Sequence, residues 1–183
     1  MLFRSSVGNQ EDLPNIYLLH GELQDSEINN LYNHPKIKAM VSLTKGEGFG
    51  RPLLEFSVTK KPIIATGWSG HIDFLSKDFS CLIGGQLTNI HQSAVVPNML
   101  VSESMWFSPN LSETVNYLKD VYENYDKYEE KAKRQAYKSK TEFSLDKMKE
   151  LLETKLQAVP KRDRKSKRLN SSHVSESRMP SSA

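Results

Sequence analysis

Four short apolar runs mark the first half of the chain: NIYLL at 15–19, IKAMVSL at 37–43, KPIIAT at 61–66 and FSCLI at 79–83. Each is nearly continuous rather than alternating, which is the pattern of strands covered on both faces. Between the first two lies DSEINNLYNH, with acidic residues in its first turn and Ile28, Leu31 and Tyr32 at i, i+3 and i+4. That spacing predicts a short amphipathic helix ending near Pro35. Strand, helix, strand, helix, strand is the rhythm of a parallel, doubly wound sheet, so the expected class is α/β with a Rossmann-like parallel sheet and flanking helices. Residues 84–108 have weak periodicity and are expected to form an elaborated loop.

From Ser112 the period changes to that of a helix. Val115, Leu118, Tyr122, Tyr125 and Tyr128 recur at roughly helical spacing behind Ser112, a residue type suited to an N-cap. A second helical segment, capped by Ser144, carries Leu145, Met148, Leu152 and Leu156 on one side. Both stripes are expected to close the core rather than to do chemistry.

At 183 residues there is room for one well-packed domain, expected over 13–160 behind an irregular end at 1–12. The net charge of +3 misleads about that domain. Residues 161–183 hold seven Lys or Arg and two Asp or Glu, which leaves 18 basic and 20 acidic groups in residues 1–160. The body is therefore slightly acidic, and nucleic acid is discounted as its partner. Residues 161–183 are too polar to bury a core and are expected to be a disordered tail. Their sequence DRKSKRLNSSHVSESRMPSSA resembles the translation of a sequencing-library adapter, DRKSTRLNSSH followed later by SRMPSSA, with Lys167 the one difference over 163–173.

The single cysteine, Cys81, lies in an apolar run and reads as a small buried hydrophobe, compatible with a reducing compartment. No run has the length of a membrane span, and the N-terminus lacks the apolar core of a signal peptide. The expected location is cytoplasmic. No His, Cys or carboxylate group has metal-ligand spacing.

The chemistry concentrates in SLTKGEGFGRPLLEFS, residues 42–57. A buried strand runs into a glycine turn and then a helix whose Pro52 suits the first helical position. Backbone N–H groups at such a turn can seat a phosphate, and the C-terminal edge of a parallel strand is where doubly wound sheets bind ligands. Neither the dinucleotide fingerprint nor the Walker loop fits the spacing of Gly46, Gly48 and Gly50. Glu55, one turn into the helix, is placed to accept hydrogen bonds from ribose hydroxyls, and Glu47 sits in the turn itself. The competing reading makes Glu47 a turn cap and Glu55 a solvated helix residue.

EGFGRPLLE resembles the E-x7-E motif of retaining, nucleotide-sugar-dependent glycosyltransferases of the GT-B fold, the group-1 or family-4 type. KPIIATGWSGHIDFL resembles the next strand and loop of that family, of the form G-K-P-V-I-A-[ST]-x-x-G-G-x-x-[ED]-[FL]-[LV]. The resemblance covers roughly residues 13–152 and corresponds to the C-terminal, donor-binding domain. It implies that Glu47 contacts the donor sugar as the catalytic glutamate and Glu55 the ribose. Gly48, Phe49, Gly50 and Arg51 then lie along the phosphates and sugar, with Ser69 and Gly70 in the neighbouring donor-binding loop.

The resemblance further implies a nucleotide-diphosphate sugar as donor substrate, no cofactor or metal, and an acceptor that is a glycan, lipid or protein. A whole enzyme of this family has a second, N-terminal domain, for which 183 residues leave no room, so the chain is expected to be an inactive fragment of its parent. The alternative is a nucleotide- or sugar-phosphate-binding module without catalysis. A phosphorylase of the same architecture would need a pyridoxal-phosphate lysine, which no segment suggests. Trp68 departs from the usual small residue and reads as a packing side chain. His20 and His71 read as structural hydrogen-bonders rather than bases.

Overall fold

A computed structural model describes residues 14–96 and 99–158. The expected irregular end at 1–12 and the expected tail at 161–183 lie outside the described residues. The chain divides into two units, Met1–Lys38 and Ala39–Ala183.

In the first unit, helix α1 spans Asp25–Asn33 as the pattern predicts. Its start is fixed by a capping box, with the backbone N–H of Gln24 donating to the Glu27 carboxylate at 2.8 Å. Ile28, Leu31 and Tyr32 are half-buried. The expected strand at 15–19 is not formed. Ile16, Tyr17, Leu18 and Leu19 are all exposed, Leu18 to 88%. A strand requires a neighbour to take up its backbone N–H and C=O groups, and no described strand does so for this run, whatever its apolar content.

The second unit is α/β. Strands β1 (Met40–Ser42), β2 (Ile63–Thr66) and β3 (Cys81–Ile83) form a parallel sheet in the order β1-β2-β3. Register runs from Met40↔Ile63 to Ser42↔Ala65, and from Ile64↔Cys81 to Thr66↔Ile83. The central strand β2 is buried at every position, as its unbroken apolar run requires, while Val41 of β1 is exposed. Helix α2 (Arg51–Ser57) connects β1 to β2 and buries Leu53, Phe56 and Ser57 at i, i+3 and i+4, facing the core. Burying a Leu or Phe side chain in this way contributes roughly 1.5–3 kcal/mol each. A short 3-10 turn, Gly70–Asp73, precedes the buried Phe74 and Leu75 and leads to β3.

Residues 84–108 are not the expected loop. Strands β4 (Gly85–Asn89) and β5 (Met105–Pro109) pair antiparallel from Gly85↔Pro109 to Asn89↔Met105. The two halves are separated by a long connection, so periodicity within either half gave no sign that they meet.

Helices α3 (Leu111–Glu123), α4 (Tyr125–Glu142) and α5 (Leu145–Gln157) complete the unit. The cap of α3 is Asn110, not Ser112: its side-chain oxygen accepts from the Glu113 N–H at 3.1 Å. The predicted stripe is also rotated away from the core. Val115, Leu118 and Tyr122 are exposed, and α3 buries Thr114 and Val121 instead. The helix stops at Asn124, whose amide donates to the Asp120 carboxylate at 2.6 Å, so Tyr125 and Tyr128 belong to the next helix.

Helix α4 buries Tyr128, Ala132, Gln135, Ala136 and Ser139, a face of mostly small or polar residues that lets it approach closely. Gln135 donates to the Phe74 carbonyl at 2.8 Å and accepts from the Ser76 N–H at 2.9 Å, and Ser57 donates to Ser139 at 2.8 Å. Every buried polar group in this seam therefore has a partner. Ser144 does cap α5, accepting from the Lys147 N–H at 3.2 Å. The expected burial of its apolar stripe fails: no residue of α5 is buried, and Leu145 is 86% exposed.

Candidate functional site

The segments between β1 and α2 and between β2 and the 3-10 turn lie at the C-terminal ends of adjacent parallel strands. They are laced together through Glu47. Its backbone N–H donates to Ser69 Oγ at 3.0 Å, and its carbonyl accepts from Ser69 Oγ at 2.5 Å and from the Gly70 N–H at 3.0 Å. Gly70 is required by this contact. A Cβ there would stand 1.9 Å from the Gly48 carbonyl oxygen, closer than any packing adjustment accommodates.

Ser69 precedes the 3-10 turn, but its hydroxyl does not cap it, contrary to the helix-cap role its position suggests, because both of its bonds go to Glu47. Its backbone lies at φ 85°, ψ −168°, a region that glycine alone occupies readily.

Gly50 caps α2 in the left-handed conformation, φ 87°, and Pro52 is the second helical residue rather than the first. No hydrogen bond is lost by that shift, since the first helical N–H groups have no intrahelical acceptor. The carboxylate of Glu47 folds back so that Oε1 accepts from the Gly50 N–H at 3.1 Å. Glu55 is bonded to Arg51 across one helical turn, Arg51 Nε donating to Oε1 at 2.5 Å. Both glutamates thus make the local contacts that the turn-cap and helix-surface reading expects, and both remain accessible: Glu47 is half-buried and the Glu55 side chain is 40% exposed.

Phe49 is 46% exposed and packs edge-tilted on Phe74, ring centroids 5.5 Å apart. A Cβ at Gly48 would meet nothing within 4 Å, so the turn presents open space beside this residue.

Beneath the turn, His71 is fully buried and its Nε2 lies 2.5 Å from the Thr66 carbonyl, in keeping with a structural hydrogen-bonder. His71 Nδ1 and Thr44 Oγ1 are buried without a hydrogen-bond partner. His20 is exposed in the first unit.

The β4–β5 hairpin brings in residues that sequence reasoning missed. The Phe107 N–H donates to the Lys45 carbonyl at 2.9 Å, and the Lys45 ammonium sits 3.1 Å above the Trp106 ring. Trp68 stacks in parallel on Phe107, 5.7 Å between centroids and 2° between planes, which supports the packing role. The available signal was the aromatic pair in MWF, but its target lies some sixty positions back along the chain and carries no matching pattern.

Among the described residues no three His, Cys, Asp or Glu side chains form a group able to hold a metal ion, and no helix is long and apolar enough to cross a membrane. No protein-family model matches the chain, and no curated protein matches it in sequence.

Proposed function

We propose that this α/β unit binds a nucleoside diphosphate sugar and serves a retaining glycosyltransferase, whose acceptor is a glycan, a lipid or a protein and which works in the cytoplasm without a bound cofactor. The observation that carries the reading is the lacing of Glu47 to Ser69 and Gly70. The two segments resembling the glycosyltransferase motifs thereby form one rim, at the sheet edge where doubly wound folds take ligands. Ser69 adds support. The motif form has glycine at this position, and the φ of 85° is a conformation that calls for one.

In this reading Glu55 accepts hydrogen bonds from the ribose hydroxyls. It must first leave Arg51, which costs little, because an exposed ion pair is worth about 0–1 kcal/mol. Arg51 is then released toward the diphosphate. Gly48, Phe49 and Gly50 line the diphosphate and sugar, and Glu47, held at the rim, meets the donor sugar. The bond from the Gly50 N–H to Glu47 favours one competing reading, in which Glu47 only shapes the turn and the unit binds a nucleotide without catalysis.

Calorimetric titration of the protein with UDP, GDP, ADP and their hexose conjugates separates the two. Glu55→Ala is expected to weaken binding of every diphosphate by about tenfold or more, the worth of hydrogen bonds to a charged acceptor. Glu47→Ala is expected to weaken only the hexose conjugates. If Glu47→Ala leaves the conjugates untouched, the non-catalytic reading holds; if neither substitution matters, the site is misplaced.

A further inference from the structure

We infer that Lys45 is a second cation, beside the Arg51 that ribose binding releases from Glu55, that receives the diphosphate of the proposed donor, and that Trp106, on the β4–β5 hairpin, positions it. The inference rests on the nucleotide-sugar reading and extends it to a part of the fold that the motifs do not include.

A diphosphate carries more negative charge than backbone dipoles of a short turn can offset. Helix α2 has seven residues, fewer than two full turns, so its dipole contributes little. Of the cations around the turn, Arg51 is bonded to Glu55. Lys45 is different: among the described residues no carboxylate pairs with it, and its ammonium instead rests on the face of Trp106. It lies two residues before Glu47, on the segment that forms the rim.

The cation–π contact has a physical consequence. A lysine side chain free in solvent samples many rotamers, and ordering it on binding costs up to about 2 kcal/mol. Seated on an aromatic face, the ammonium keeps its charge and its donors while giving up that freedom in advance. The seat is itself fixed. Trp106 is held opposite Thr88 in the β4–β5 ladder, and the next residue, Phe107, bonds the Lys45 carbonyl and stacks on Trp68. The hairpin therefore grips Lys45 at both its backbone and its side chain, so the hairpin is assigned a role in donor binding.

The test is an NMR titration of the full chain with UDP, GDP and ADP and with the three parent nucleosides. Lys45→Met is expected to lower affinity for the preferred diphosphate about tenfold, and to leave the parent nucleoside unchanged. Trp106→Leu should reproduce a three- to fivefold part of that loss, and Trp106→Phe should restore it, because a second ring offers the same face. Since Lys45→Met touches no core position, it stands as the decisive variant even if Trp106→Leu does not fold. Unchanged diphosphate affinity in Lys45→Met, or equal weakening of diphosphate and nucleoside, overturns the inference. If Glu55→Ala still weakens binding in that case, the nucleotide-sugar reading survives without it. Failure of the unaltered chain to bind any of the three diphosphates overturns both.

Discussion

Ser69 combines two opposed contributions at one residue. Its φ of 85° with ψ −168° costs about 1–3 kcal/mol for a residue with a Cβ, while its hydroxyl makes two hydrogen bonds to Glu47 worth about 0.5–1.5 kcal/mol each. Ser69→Gly removes both and is expected to change stability by less than about 1 kcal/mol. Ser69→Ala keeps the strain and loses the bonds, and is expected to cost about 1–3 kcal/mol. Urea denaturation of the two variants reads the difference directly, and Ala no less stable than Gly contradicts the account. Gly70→Ala is the more severe change, because the added carbon meets a backbone carbonyl at 1.9 Å and cannot be relieved by a rotamer. A loss of about 3 kcal/mol, or no folded protein at all, is expected in the same assay. Much of this was legible in the residues: glycines, a serine and two glutamates at a strand end mark a rim. Which atoms bond across it was not, since Glu47 and Ser69 stand 22 positions apart.

At the scale of elements, apolar composition located β1, β2 and β3, because a buried central strand needs an unbroken apolar run. It failed for 15–19, where the same composition has no described partner strand. It failed again for α3 and α5, whose most apolar stripes face outward. What closes the second unit is α4, whose buried face contains Ala132, Gln135, Ala136 and Ser139 and so gives a weak hydrophobic signal. The binding there is polar. Gln135→Leu keeps the volume but leaves the Phe74 carbonyl and the Ser76 N–H without their partner, at an expected cost of about 2–3 kcal/mol in thermal or chemical unfolding. If Gln135→Leu is as stable as the unaltered protein, the seam is held by packing alone.

For the second unit as a whole, the one free thiol reports on integrity. Burial pushes the Cys81 thiol up to about 11 from an ordinary 9.0, partly offset by Lys131. In the folded state the neutral thiol is favoured. Its contribution to stability is therefore complete below pH 9.0 and is lost as pH rises from there through about 11. Stability measured by urea midpoint should fall across that window in the unaltered protein and fall less in Cys81→Ala. A thiol reagent at pH 8 should label Cys81 only as fast as the unit opens, with labelling accelerated by denaturant.

The neck of the β4–β5 hairpin has a consequence for how the molecule tolerates change. The Asn110 N–H donates to the Gly84 carbonyl at 2.8 Å, so the chain leaves the end of β3 and comes back beside it, at the start of α3, at a single closed point. Trp106 and Phe107, which grip Lys45, lie within the ladder, and the connection begins beyond its last pair, Asn89↔Met105. Changing its length beyond the buried Ile90 leaves the ends fixed by the ladder, at a small entropic cost. The connection beyond Ile90, rather than the ladder itself, is thus a cassette, open to exchange between proteins without rebuilding the sheet or the rim beneath it.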